Sequence, residues 1–136
     1  MRSLDLVSGT GIVPEPDCWE MLGTQVIGRI AGVVSGRIEI FPVNYSVDGR
    51  SIVFRTNVGR KLAGLAGEVV FEVDAVDTNA HAGWSVVVRG TVSEMERLAD
   101  DERAQGAPWA GPKALMIRIE PTSVTGRRVF QRWSTV

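Results

Sequence analysis

The run Phe41-Pro42-Val43-Asn44-Tyr45-Ser46-Val47-Asp48-Gly49-Arg50-Ser51-Ile52-Val53-Phe54-Arg55-Thr56-Asn57-Val58-Gly59-Arg60-Lys61 decides how the chain folds. Phe41, Val43 and Tyr45 recur at every second position and so fall on one face of a strand. Asp48-Gly49 is a strong signal for a tight hairpin, because glycine accepts the positive φ such a turn needs. Ser51 to Thr56 then reads as the returning strand. Two strands joined this closely are antiparallel. After Thr56 the pattern breaks at Gly59, and a short helix is expected over 57–67, with Leu62, Ala63, Leu65 and Ala66 for packing.

Working upstream, Val26 to Val34 is rich in β-branched residues, and Ser35-Gly36 supplies a turn into the strand Arg37 to Val47. Ile38 and Ile40 point away from Phe41, Val43 and Tyr45. The apolar face therefore switches near Pro42, which marks an edge or a bulge. Asp17 reads as a helix N-cap, with Glu20 closing a capping box, and Gly23 as the stop of a helix over 18–23. Residues 1–15 contain Gly9, Gly11 and Pro14 and are expected to be a loosely attached arm on a single domain spanning 16–136.

Working downstream, Glu68 to Val76 and Gly83 to Glu94 are strands joined by a polar loop over 77–82. A helix is expected over 98–105 and a loop over 106–111. Ala114 to Pro121 is a last strand, with Thr122 to Phe130 as its continuation. The sum is about six strands, mostly in hairpins, with three short helices inserted: a mainly β, antiparallel barrel. The alternating βαβ rhythm of a parallel doubly wound sheet is missing.

The chain has 136 residues, 44% of them hydrophobic and 23% charged, with a formal net charge of −1. That is a globular balance for one domain. It lacks the basic surplus that would draw the whole molecule to nucleic acid or to an anionic membrane. The lone cysteine, Cys18, rules out an intrachain disulfide and fits a reducing, cytoplasmic setting. The sequence contains neither an apolar run of the ~20 residues a membrane span needs nor a visible secretory signal.

The chemistry of the chain is defined first by what it lacks. One histidine, His81, in a polar loop, and one cysteine cannot build a zinc site or a histidine-based nucleophilic centre. His81 is expected to be exposed and Cys18 to be a small buried apolar residue. Glu72 and Asp74 share a strand face, where two like charges are usually solvated rather than catalytic. No phosphate-binding glycine motif follows a strand. What remains is Arg55, Thr56, Arg60 and Lys61, gathered where a strand turns into a helix. Free N–H groups at a helix start attract anions. Two cations there are disfavoured by the helix dipole unless an anion is bound. Spacing alone leaves two readings open, a solvated basic helix start or a phosphate site.

Five segments, in order, resemble the pyridoxamine 5′-phosphate oxidase-like, flavin-binding split-barrel family. They are Gly28-Arg29-Ile30-Ala31, Phe41-Pro42-Val43-Asn44-Tyr45, Phe54-Arg55-Thr56 with Gly59-Arg60-Lys61, Phe71-Glu72-Val73-Asp74, and Gly83-Trp84-Ser85-Val86-Val87-Val88-Arg89-Gly90. The resemblance covers roughly residues 17 to 129. It implies a six-stranded split barrel and a homodimer with cofactor sites at the subunit interface. The FMN phosphate would lie against Phe54, Arg55, Thr56, Arg60 and Lys61, and the ring along Pro42, Val43 and Asn44. Trp84 and Ser85 would come from the partner subunit. The implied activity is a flavin-dependent oxidoreductase acting on a small molecule. The deazaflavin F420 in place of FMN, or a non-enzymatic flavin carrier, are the alternatives. One departure counts against vitamin B6 oxidation: Thr125-Gly126-Arg127-Arg128-Val129 lacks the histidine of the substrate element in oxidases proper. Arg127, Arg128 and Arg132 are open to two readings, substrate contact or simple solvation, of which solvation is preferred.

Overall fold

The computed structural model describes residues 4–5, 10–57, 65–97 and 114–130. In chain order the elements are β1 (Leu4–Asp5), β2 (Thr10–Val13), α1 (Glu15–Leu22), β3 (Ile27–Val34), β4 (Arg37–Asp48), β5 (Ser51–Asn57), β6 (Ala66–Asp77), β7 (Ala82–Arg97) and β8 (Ala114–Phe130). Ser35 and Gly36, both at positive φ, turn β3 into β4, and Gly49 at φ 62° turns β4 into β5. All the ladders are antiparallel. The strand order is β1-β2-β8-β5-β4-β3-β6-β7, and β7 pairs back onto β8. That closure makes a six-stranded ring of β8, β5, β4, β3, β6 and β7, with the β1–β2 ribbon attached outside it. Closure removes most of the sheet edges that would otherwise invite aggregation.

Alternation along each strand fills the ring. Ile30, Ile52, Phe71, Val73, Val86, Val88, Ile117 and Ile119 are fully buried. Two close approaches set how tightly the interior packs. A Cβ on Gly28 would sit 2.5 Å from Phe71 Cζ, and one on Gly126 would sit 2.5 Å from Cys18 Sγ. The Tyr45 and Phe71 rings meet edge to face, with centroids 5.0 Å apart. Tyr45 also donates its hydroxyl to the carbonyl of Leu22 at 2.5 Å. This satisfies one of the carbonyls that the end of α1 leaves without a helical partner. Burial pushes the Tyr45 hydroxyl up to about 12. On the rim, Arg50 lies over the Trp19 ring and pairs with Glu15, tying α1 to the β4–β5 turn.

The barrel, its hairpins and the six-strand ring match the sequence reading, and several boundaries do not. Residues 10–13 are not a loose arm: they pair with 126–129 of β8, and Val13 is buried. The helix starts at Glu15 after Pro14, with no side-chain cap, so Asp17 lies in its first turn rather than capping it. Proline fixes an extended entry and is tolerated in the first turn, which outweighs the Asp17 capping signal. Asn57 ends β5 and Ala66 begins β6, so the ends of the helix expected over 57–67 are strand. The rest of that segment, with Gly59, Arg60 and Lys61, the helix and loop expected over 98–111, and Arg132 lie outside the described residues. At Pro42 the β3–β4 register runs unbroken, so that position marks an edge and not a bulge.

Candidate functional site

The geometry that matters begins where two paired strands part. β4 follows β3 from Arg37↔Val34 to Asn44↔Ile27. Its ladder with β5 covers only Tyr45↔Phe54 to Asp48↔Ser51. Beyond Phe54, β5 leaves β4 and runs with β8, where Arg55 faces Met116 and Asn57 faces Ala114. On the β5 side, therefore, the backbone of residues 37–44 has no strand partner among the described residues. An unpaired edge presents N–H and C=O groups to whatever lies beside it.

Alternation sorts the sequence-derived site residues into two groups. Pro42 and Asn44 face outward and are exposed. Val43 and Phe54 are core residues, so only their backbone is available to a ligand, and Thr56 is buried on the same side of β5. Arg55 points the other way. Its Nη1 is buried without a hydrogen-bond partner, the one such side-chain atom among the described residues. A guanidinium stays charged at any physiological pH. A buried N–H left unsatisfied costs roughly 1–3 kcal/mol, and an anion accepting from it would remove that cost. Arg55 thus sits at the mouth of the β4–β5 split with an unmet need for an acceptor.

A second group of charges lies on the outward face of β3, β6 and β7. Arg29 stands opposite Pro42 on one side and Glu72 on the other. Its Nε donates to Glu72 Oε1 at 2.9 Å and its Nη2 to Asp74 Oδ2 at 2.7 Å. Ser85 Oγ lies 3.1 Å from Glu72 Oε2. Burial and the neighbouring Asp74 push the Glu72 carboxyl up, while Arg29 opposes them. Glu72 and Asp74 do share a face, as expected, but they are held by an arginine rather than merely solvated. Arg29 was legible only as part of a motif. The signal that could have found its partners is the alternation in Phe71-Glu72-Val73-Asp74; which strand would face it was not legible.

Trp84 is half-buried and packs against the core, on the opposite side of β7 from Ser85. His81 is exposed in the turn before β7, at φ 52°. Cys18 is buried, and burial pushes its thiol up, so it behaves as the small apolar residue expected. Arg127 and Arg128 are exposed on β8. Among the described residues no cluster of histidine, cysteine and carboxylate could hold a metal ion, and no helix is long and apolar enough to cross a membrane.

The chain is similar to known proteins in sequence and in fold. The family model described as pyridoxamine 5′-phosphate oxidase matches residues 14–128. The solved structure of the FAD binding protein from Mycobacterium smegmatis is 34% identical, with a TM-score of 0.66 over 88% of this chain and 97% of that one. Protein Rv0080 of Mycobacterium tuberculosis is 36% identical over 125 residues, 83% of this chain and 81% of its own. An FAD-binding protein from Mesorhizobium loti shares the fold, with a TM-score of 0.70 at 20% identity, covering 88% of this chain and 98% of that one.

Proposed function

Because the chain belongs to the pyridoxamine 5′-phosphate oxidase family of flavin-binding split barrels, we propose that it is an FMN-dependent oxidoreductase. A flavin supplies the electron chemistry when bound, and the protein supplies binding and orientation. That division suits a chain whose described residues hold no metal cluster and whose cysteine is buried. The observation that carries the reading is Arg55 Nη1, buried and unpartnered beside the open edge of β4. Arg55 would take the phosphate, helped by Arg60 and Lys61 just after the strand. The free backbone of Pro42 to Asn44 would meet the polar edge of the ring.

A second copy would complete the site with Ser85 on the outer face of β7, while Trp84 on the opposite side packs against its own core. The support for a homodimer is an apolar outward face on β3 and β4: Ile27, Val33, Ile38 and Ile40 are exposed, Ile38 by 83% and Ile40 by 65%. Large exposed apolar residues gathered on one face mark an interaction surface. Vitamin B6 is not the substrate in this reading, since residues 125–129 lack the expected histidine and 126–129 are built into the sheet between β7 and β2. The 34% identical FAD binding protein favours FAD as a second reading, with the same phosphate anchor and a longer tail.

Titration of purified protein with FMN, FAD and F420, read by flavin fluorescence quenching, separates the cofactors. Preference for FMN supports the proposal, and preference for F420 overturns it. Arg55→Ala should weaken FMN binding by about 10- to 100-fold, the loss of a charge-assisted bond worth ~1.5–3 kcal/mol. An unchanged affinity places the phosphate elsewhere. Oxidoreductase function predicts steady NAD(P)H-dependent reduction of an added acceptor above the rate of free flavin. Tight binding with no turnover would mark a carrier instead.

A further inference from the structure

Ser85 and Glu72 together fix a chemical polarity. Glu72 Oε1 accepts from Arg29 Nε and Nη2, and Oε2 lies 3.1 Å from Ser85 Oγ. Two guanidinium N–H groups on one oxygen favour the carboxylate form, against the burial and the neighbouring Asp74 that push this carboxyl up. An ionised carboxylate can only accept. The Ser85 hydroxyl therefore spends its single proton on Glu72. What it then presents outward is lone pairs alone. Asp74 and Arg127, the residues directly opposite Ser85 on the flanking strands, complete the charged surroundings.

We propose that Glu72, held by Arg29, is a positioning residue that turns Ser85 into an obligate acceptor, and that Ser85 thereby selects the imide N–H of the flavin ring. This rests on the flavin reading above and adds which ring group is recognised and by what. The oxidised ring system carries one N–H, at N3, and its other polar atoms on that edge are acceptors. A serine free to rotate would serve either kind of group. A serine committed to Glu72 discriminates, because an acceptor facing it would meet lone pairs and lose its partner.

Glu72→Gln is a sharp test because it should reverse the polarity. Arg29 still requires an oxygen, so the amide nitrogen of the variant faces Ser85 and donates to it. The serine proton is then released outward, against the N3 proton. Binding of FMN and of N3-methyl-FMN, which lacks that proton, is measured by fluorescence quenching on the full chain. Wild type should bind FMN at least ~10-fold more tightly than the methylated analogue, the scale of one lost hydrogen bond. In Glu72→Gln the FMN affinity should fall ~10-fold and the preference between the two flavins should shrink towards one. Ser85→Ala, which leaves the Arg29–Glu72 pair intact, should abolish the preference without reversing any polarity. Far-UV circular dichroism checks that each variant folds, and if Glu72→Gln does not, the Ser85→Ala ratio decides alone. A preference unchanged in the folded variants means the methyl group is excluded by shape, and the inference falls while flavin binding stands. No flavin binding by the wild type overturns both.

Discussion

Phe71 and Glu72 are neighbours in the chain and live in different chemical worlds. Phe71 is fully buried, touching the space above Gly28 and the edge of Tyr45. Glu72, one residue on, faces out from the same strand into a charged cluster with Arg29 and Ser85. The same division runs through β3 and β4. Their inner faces carry Gly28, Ile30, Val43 and Tyr45, all buried, while their outer faces carry Arg29, Ile38, Ile40, Pro42 and Asn44. The inner face is where the fold is determined. The outer face holds the polarity, the open edge and the exposed apolar surface, none of which an isolated barrel needs for its own packing.

The comparison breaks first at Phe71. Phe71→Ala should cost about 3–5 kcal/mol in chemical denaturation, the usual range for a buried aromatic that leaves a cavity. Glu72→Gln should cost under about 1 kcal/mol, because the pair it weakens is partly solvated. If the adjacent substitutions prove equally costly, the outer cluster is a structural element and its role in ligand selection weakens.

Gly28→Ala tests the inner face from the opposite direction. The added Cβ would lie 2.5 Å from one carbon of the Phe71 ring and 2.8 Å from another. Phe71 is enclosed by core and cannot swing away, so overpacking of ~1–3 kcal/mol is expected. A neutral result would mean that β3 shifts outward freely, and that the inner face is looser than its burial implies.

Tyr45→Phe should destabilise by about 1–3 kcal/mol, since it strands the Leu22 carbonyl at the end of α1. It carries a pH signature as well. The Tyr45 hydroxyl is raised from 10 to about 12 in the folded protein. The native state therefore holds this proton after the unfolded chain has released it. The associated stability is complete below pH 10 and is lost as pH rises from 10 to about 12. Denaturation midpoints for wild type should fall across that window, and Tyr45→Phe should be flatter there. Parallel curves would show that the alkaline loss comes from other groups.

These contrasts also show what could be read in advance. The period-two alternation in Phe41 to Tyr45 and in Phe71 to Val73 reports a face directly, so the barrel and its core were legible. Asp48-Gly49 and Ser35-Gly36 report turns for a local stereochemical reason. Arg29's hold on Glu72 and Asp74 joins positions 43 and 45 residues apart. It depends on a β3–β6 register that no local pattern encodes. The N-terminal strand β2 was missed for a related reason. Its four residues are stabilised by pairing with β8, and Gly9, Gly11 and Pro14 are poor strand formers. Pro14 likewise overrode the Asp17 capping signal by fixing how the chain enters α1. Arg55 was legible as a cation at a strand end, but the buried, unpartnered Nη1 that gives it a purpose is visible only in three dimensions.

The smallest expected effect on stability sits on the outer face, where it tests assembly instead. Ile38 and Ile40 project from the outward side of β4 and are mostly exposed. Removing apolar surface that already meets water should leave the stability of one chain within about 0.5 kcal/mol. If two copies meet through this face, the symmetry of a two-fold dimer places each substitution in the interface twice. Ile38→Glu with Ile40→Glu should therefore convert a dimer to a monomer in analytical ultracentrifugation, with the denaturation midpoint extrapolated to low protein concentration unchanged. Flavin affinity should fall with the dimer, because Ser85 of the second copy would no longer reach the site. A monomeric variant that keeps full affinity would show that one chain holds the flavin alone. A variant that remains dimeric would move the interface to another face and leave the exposed isoleucines without this role.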